Sequence, residues 1–125
     1  VKKPVSSSQV ARFMQFMAEW QAKLGLTSWR LELQIDPPDH RSTIVEIDMS
    51  HAARLLKVRV AREDWGDVPV TEQRMREIAL HEMGHVLLDP LIQAVKAHDI
   101  ESPEVEEAEH AVIATLTNLM YRKVA

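Results

Sequence analysis

The sequence predicts a single α+β domain, and three observations carry that expectation. Apolar residues recur at helical spacing near the N-terminus, three later segments alternate apolar and polar residues, and helical spacing returns from Thr71 to the end. The expected order is an N-terminal helix, a three-stranded mostly antiparallel sheet, a helix carrying His81-Glu82-Met83-Gly84-His85, and a C-terminal helix bearing a glutamate. A chain of 125 residues has the size of one compact domain, read here as 1–125, and is long enough to bury a core.

The first helix is expected over Gln9 to Leu24. Ser6, Ser7 and Ser8 offer N-caps, and Val10, Phe13, Met14, Met17, Trp20 and Leu24 form one stripe. Gly25 stands where a left-handed residue ends a helix. Phe13, Met14 and Met17 are read as core, the commoner use of such a stripe. Strands are expected over Trp29 to Ile35, Ile44 to Met49 and Leu55 to Val60, with Asp36-Pro37-Pro38-Asp39 ending the first. The short links permit antiparallel hairpins.

After the loop from Arg62 to Pro69, Thr71 caps a helix that should end near Leu88, because the ring of Pro90 clashes with the preceding turn. Leu91 to Val95 suggests a further short helical piece, and Lys96 to Glu101 a connection. Ser102-Pro103-Glu104 then starts the last helix, with a serine cap, proline at the first helical position and acids in the first turn. Its stripe is Val105, Ala108, Val112, Leu116, Leu119 and Met120, running to about Tyr121.

Composition excludes several function classes. A net charge of −4 with scattered Lys and Arg gives no support to nucleic-acid binding. The absence of cysteine removes disulfides and thiolate metal sites, so any zinc must be held by His, Asp or Glu, which favours a catalytic site over a structural one. No signal peptide or membrane-length apolar run is present, which points to a cytoplasmic protein without membrane association.

The chemistry concentrates in His81-Glu82-Met83-Gly84-His85, an H-E-x-x-H pattern inside a helix. Residues four apart on a helix lie one above the other, so His81 and His85 can reach one ion. Glu82 projects beside that ion, where it can hold a water and take its proton.

A catalytic zinc has three protein ligands and an open position, so the two histidines require a partner. At about 100° per residue, Glu109 falls inside the apolar stripe of the last helix, whereas Glu106 points away and Glu107 lies near the edge. A carboxylate on a core-facing stripe is costly unless a cation or donor meets it. Glu106 and Glu107 remain rivals if the helix register shifts, and so does Asp89, four after His85, whose other role is a turn residue at the helix end. His110 falls on the outer face by the same wheel, and His40, His51 and His98 lie in loops, where a lone histidine is usually solvated.

H-E-x-x-H followed by Glu109 on a later helix resembles the gluzincin branch of the zincin metallopeptidases. Glu109-His110-Ala111-Val112-Ile113-Ala114-Thr115-Leu116 is similar to the glutamate-bearing helix of its small members, the minigluzincins and the bacterial peptidases that act on phage repressors. The resemblance implies a minimal zincin-like domain with His81, His85 and Glu109 as Zn2+ ligands and Glu82 as general base, acting on a peptide or protein substrate. It also implies an extended substrate in a groove beside Leu55 to Val60, taken as the edge strand. The metzincin pattern is excluded because Leu88 and Leu91 occupy the positions of its glycine and third histidine, and the aspzincin G-T-x-D run is absent. No counterpart is found for the residue that steadies the oxyanion in larger gluzincins, since Tyr121 lies about 18 Å beyond Glu109 along a helix. Two other classes stay open: a zinc-binding module that works through a protein partner without proteolysis, and a metal hydrolase with a non-peptide substrate.

Overall fold

Helix α1 (Ser7–Lys23) begins where its own sequence can satisfy the orphan N–H groups of its first turn. The Ser6 hydroxyl accepts from the Gln9 backbone N–H at 3.1 Å while the Gln9 side chain accepts from the Ser6 N–H at 2.8 Å, a reciprocal capping box. The helix ends at Leu24 and Gly25, the latter with φ 72° as expected of a left-handed terminator. Its buried face comprises Val10, Phe13, Phe16, Met17 and Trp20; Phe16 was absent from the expected stripe, and Met14 is only partly buried. The computed structural model describes residues 4–39, 43–63, 65–66, 68–98 and 103–121. The expected cap Ser102 and the loop residue His40 lie outside them.

Three strands, β1 (Arg30–Leu33), β2 (Val45–Ser50) and β3 (Leu55–Val60), form an open mixed sheet in the order β1-β3-β2. The hairpin joining β2 to β3 is antiparallel as expected, with Arg54 at φ 52° in its turn. The expectation of a mostly antiparallel sheet is corrected at β1, which runs parallel to β3 and does not pair with β2. The prolines after β1 do not continue a strand, and the chain next enters the sheet as β2 on the far side of β3. A second correction follows at once. β3 is hydrogen-bonded on both edges and offers no ledge for an extended substrate; among the described residues the free edges belong to β1 and β2.

One face of the sheet carries the core and the other carries charge, as period-two alternation requires. Leu56, Val58 and Val60 are buried, while Arg59 on the opposite face meets Asp48 at 3.0 Å and Asp39 at 3.4 Å. β1 is shorter than expected: Ile35 lies beyond it and is 98% exposed.

Helix α2 (Glu72–Ala97) is capped by Thr71, whose hydroxyl accepts from the Arg74 N–H at 3.1 Å. Its buried residues Met75, Ala79, Leu80, Met83 and Val86 join α1 and β3 in one core. The helix does not end near Leu88 but continues through Pro90 to Ala97. Pro90 lacks the N–H that would meet the Val86 carbonyl, yet its ring faces the exposed side of the helix, and the turns beyond it keep Ile92 and Val95 partly buried.

Helix α3 (Pro103–Tyr121) packs on α2 through a face that keeps Val105 and Leu116 of the expected stripe but is centred on Glu109, Ile113 and Thr117 instead of Ala108, Val112 and Leu119. Ile113 is fully buried, whereas Val112 is 53% and Leu119 73% exposed. Gly84 makes this approach possible: a Cβ there would lie 3.0 Å from Ile113 Cγ1 and 3.3 Å from Cγ2. Gly84→Ala gains about 1 kcal/mol of helix propensity but overpacks a buried isoleucine at a cost of about 1–3 kcal/mol. A net loss of about 1 kcal/mol is expected in urea denaturation. The same change made in an Ile113→Ala background should instead stabilise, because the obstructing atoms are gone.

Candidate metal centre

Helical geometry brings the two motif histidines together on α2. Their Nε2 atoms lie 3.3 Å apart, and their rings meet edge to face at a centroid distance of 5.0 Å. Ligands about 2.05 Å from a tetrahedral zinc are about 3.3 Å from one another, so this spacing fits one ion. Burial, followed by the charges of His85 and His110, holds the His81 pKa below its ordinary value, with Glu109 opposing. The neutral imidazole, which is the form that binds metal, is therefore favoured near neutral pH.

Glu82 borders the cleft beside the histidines, and enough protein surrounds its carboxyl that burial pushes its pKa up to about 8. A cation within a few ångströms acts in the opposite direction, so occupation of the site favours the carboxylate.

Helix α3 turns Glu109 toward this pair, with its side chain 13% exposed, and leaves Glu106 and Glu107 exposed. The Glu109 Oε2 atom lies 3.1 Å from Nδ1 of His85. His110, expected on the outer face, is exposed yet reaches the site. Its ring stacks on His81 at 5.8 Å and meets His85 edge-on at 5.1 Å. His81, His85 and His110 each offer a ring nitrogen within 4.8 Å of the others. The wheel misplaced His110 because the buried row of α3 runs through Ile113 instead of Val112, which turns the helix toward it.

The cleft beside Glu82 has a volume of about 290 Å³. Ile47 and Met49 of β2 with Val86 and Ile92 of α2 form its apolar wall, and Asp89, Gln93 and Lys96 continue along α2. Asp89 is buried inside the helix and does not serve as a turn residue at its end. Its Oδ2 lies 2.7 Å from Nε2 of His51 in the β2–β3 turn, and Gln93 donates to its Oδ1 at 3.3 Å. His51 also meets Trp29 edge-on at 5.6 Å, so it ties the hairpin to the helix and is not a free loop histidine. His51→Ala should lower stability by on the order of 1–2 kcal/mol in urea denaturation, toward the low end for a buried carboxylate because the vacated space admits water.

Tyr121 has a structural place where the three helices meet. Its hydroxyl accepts from Trp20 Nε1 at 2.7 Å and donates to the Arg76 carbonyl at 3.3 Å, pinning the end of α3 to α1 and α2. Burial, the largest influence, raises its pKa. No helix among the described residues is long and apolar enough to cross a membrane. Compared with known proteins, the chain matches no family model and has no significant match among curated proteins or solved structures.

Proposed function

We propose that this chain is a zinc-dependent metallopeptidase of minimal zincin type. The observation that supports it best is the 3.3 Å approach of the His81 and His85 Nε2 atoms with Glu82 beside them at the edge of a cleft. These two nitrogens would hold the metal, and α3 presents Glu109 and His110 as adjacent sources of a third ligand. A bound zinc ion supplies Lewis acidity, which acidifies water and polarises a carbonyl. Glu82 takes the proton from the attacking water and passes it to the leaving amine. The apolar wall of Ile47, Met49 and Val86 gives a side chain of the peptide a surface to bury, next to the free edge of β2.

A second reading has a specific observation in its favour. Glu109 and His110 both lie at the histidine pair, and a shift of the Glu109 carboxylate from Nδ1 of His85 onto the ion would add a fourth protein ligand to His81, His85 and His110, close the shell and make the domain a metal-stabilised module that acts through a partner. Metal analysis combined with a peptide-library digest separates the two. One zinc per chain with cleavage abolished by a chelator and restored by zinc supports the peptidase; one zinc with no cleavage supports the closed module.

A further inference from the structure

Resting on the reading that the α2 histidines hold a metal, we propose that the third protein ligand is His110 and that Glu109 is a positioning residue for His85. The two nitrogens of an imidazole lie on diverging edges of the ring, so groups bound to each face different ways. Nε2 of His85 faces Nε2 of His81 at 3.3 Å, while its Nδ1 faces Glu109 Oε2 at 3.1 Å. An ion shared by the two Nε2 atoms therefore lies across the ring from the Glu109 carboxylate. That carboxylate accepts the Nδ1–H and leaves the lone pair of the neutral ring on Nε2, the arrangement by which carboxylates orient metal-binding histidines.

His110 satisfies what Glu109 does not. It offers a ring nitrogen within 4.8 Å of both α2 histidines, from a ring parallel to that of His81 within 17°. Its exposure leaves room for the rotamer change that would bring this separation toward the roughly 3.3 Å of a tetrahedral site. The consequence is chemical. Three neutral imidazoles leave the full charge of a dication at the site and one position open, whereas a carboxylate ligand would cancel part of that charge. The nitrogen-only set also favours zinc, cobalt, nickel and copper over magnesium, calcium and manganese.

Cobalt(II) serves as the probe, read by visible absorption, by competition for affinity and by X-ray absorption. The wild type should take up one cobalt with three histidines in its shell. His110→Ala should lose at least about 10²-fold in affinity and change the visible band, as expected for a lost ligand, while Glu109→Gln, whose amide oxygen can still accept from Nδ1, should lose no more than about 10–100-fold and keep the band. Two histidines plus a carboxylate in the wild-type shell overturn the assignment, as does a Glu109→Gln protein that loses the metal while His110→Ala keeps both affinity and band. A wild type that binds no stoichiometric cobalt or zinc overturns the underlying metal-site reading instead, which is a distinct failure.

Discussion

Replacing Glu82 by glutamine should cut peptide hydrolysis by about 10²–10⁴-fold while zinc content stays at one per chain. Glutamine preserves the volume of the side chain and one acceptor oxygen but cannot take a proton, so it removes the base and little else. Glu82 points beside the His81–His85 pair, and neither histidine contact passes through it, so metal retention should survive. Parallel measurement of metal content and of kcat/KM on one cleaved peptide provides the check. Hydrolysis unchanged in a zinc-loaded variant would sink the base assignment; loss of zinc would make Glu82 a ligand or a structural support.

The metal-free protein, held in chelator, should lose stability as pH rises, and Glu82 is the reason. The carboxyl has a pKa of about 8 when folded and an ordinary value of 4.5. Between those limits the folded state keeps a proton that the unfolded chain has released, so stability present below pH 4.5 is lost progressively up to about pH 8. The full shift corresponds to an upper limit of about 5 kcal/mol. His81 acts with the opposite sign in a lower window: its pKa is depressed from 6.5, the unfolded state binds more protons below that value, and its contribution to stability falls as pH drops through the folded pKa. Above pH 6.5 Glu82 acts without that opposition. Urea denaturation should therefore show a loss of about 2 kcal/mol between pH 6.5 and about pH 9, and Glu82→Gln should flatten the curve. A wild-type profile that stays level across this range contradicts a raised carboxyl pKa.

The separation between what was legible and what was not follows the range of the interactions. Capping by Ser6 and Thr71, the stop at Gly25, the alternation of β3 and the pairing of His81 with His85 depend on residues a few positions apart, whose relative placement a helix or strand dictates. The inward direction of Glu109 was likewise readable from the helical wheel, though only to within the width of a stripe. Strand order was not, because β1 and β2 carry similar alternation and the choice of β3 as their common neighbour rests on long-range packing.

The same limit applied at α2. A proline normally ends a helix, but Pro90 is on the exposed side and the residues after it gain contacts that keep the turns going. The pairing of His51 with Asp89 joins residues 38 apart in sequence, and neither carries a local sign of it. The sequence alone thus determined that two histidines and a glutamate share one turn of a helix, because four-residue spacing on a helix is a covalent and steric certainty. Which atoms complete that site was decided only by the tertiary structure. The approach of α3, with Ile113 against Gly84 and Tyr121 bonded to Trp20 and Arg76, sets Glu109 on Nδ1 of His85 and brings His110 to the two histidines.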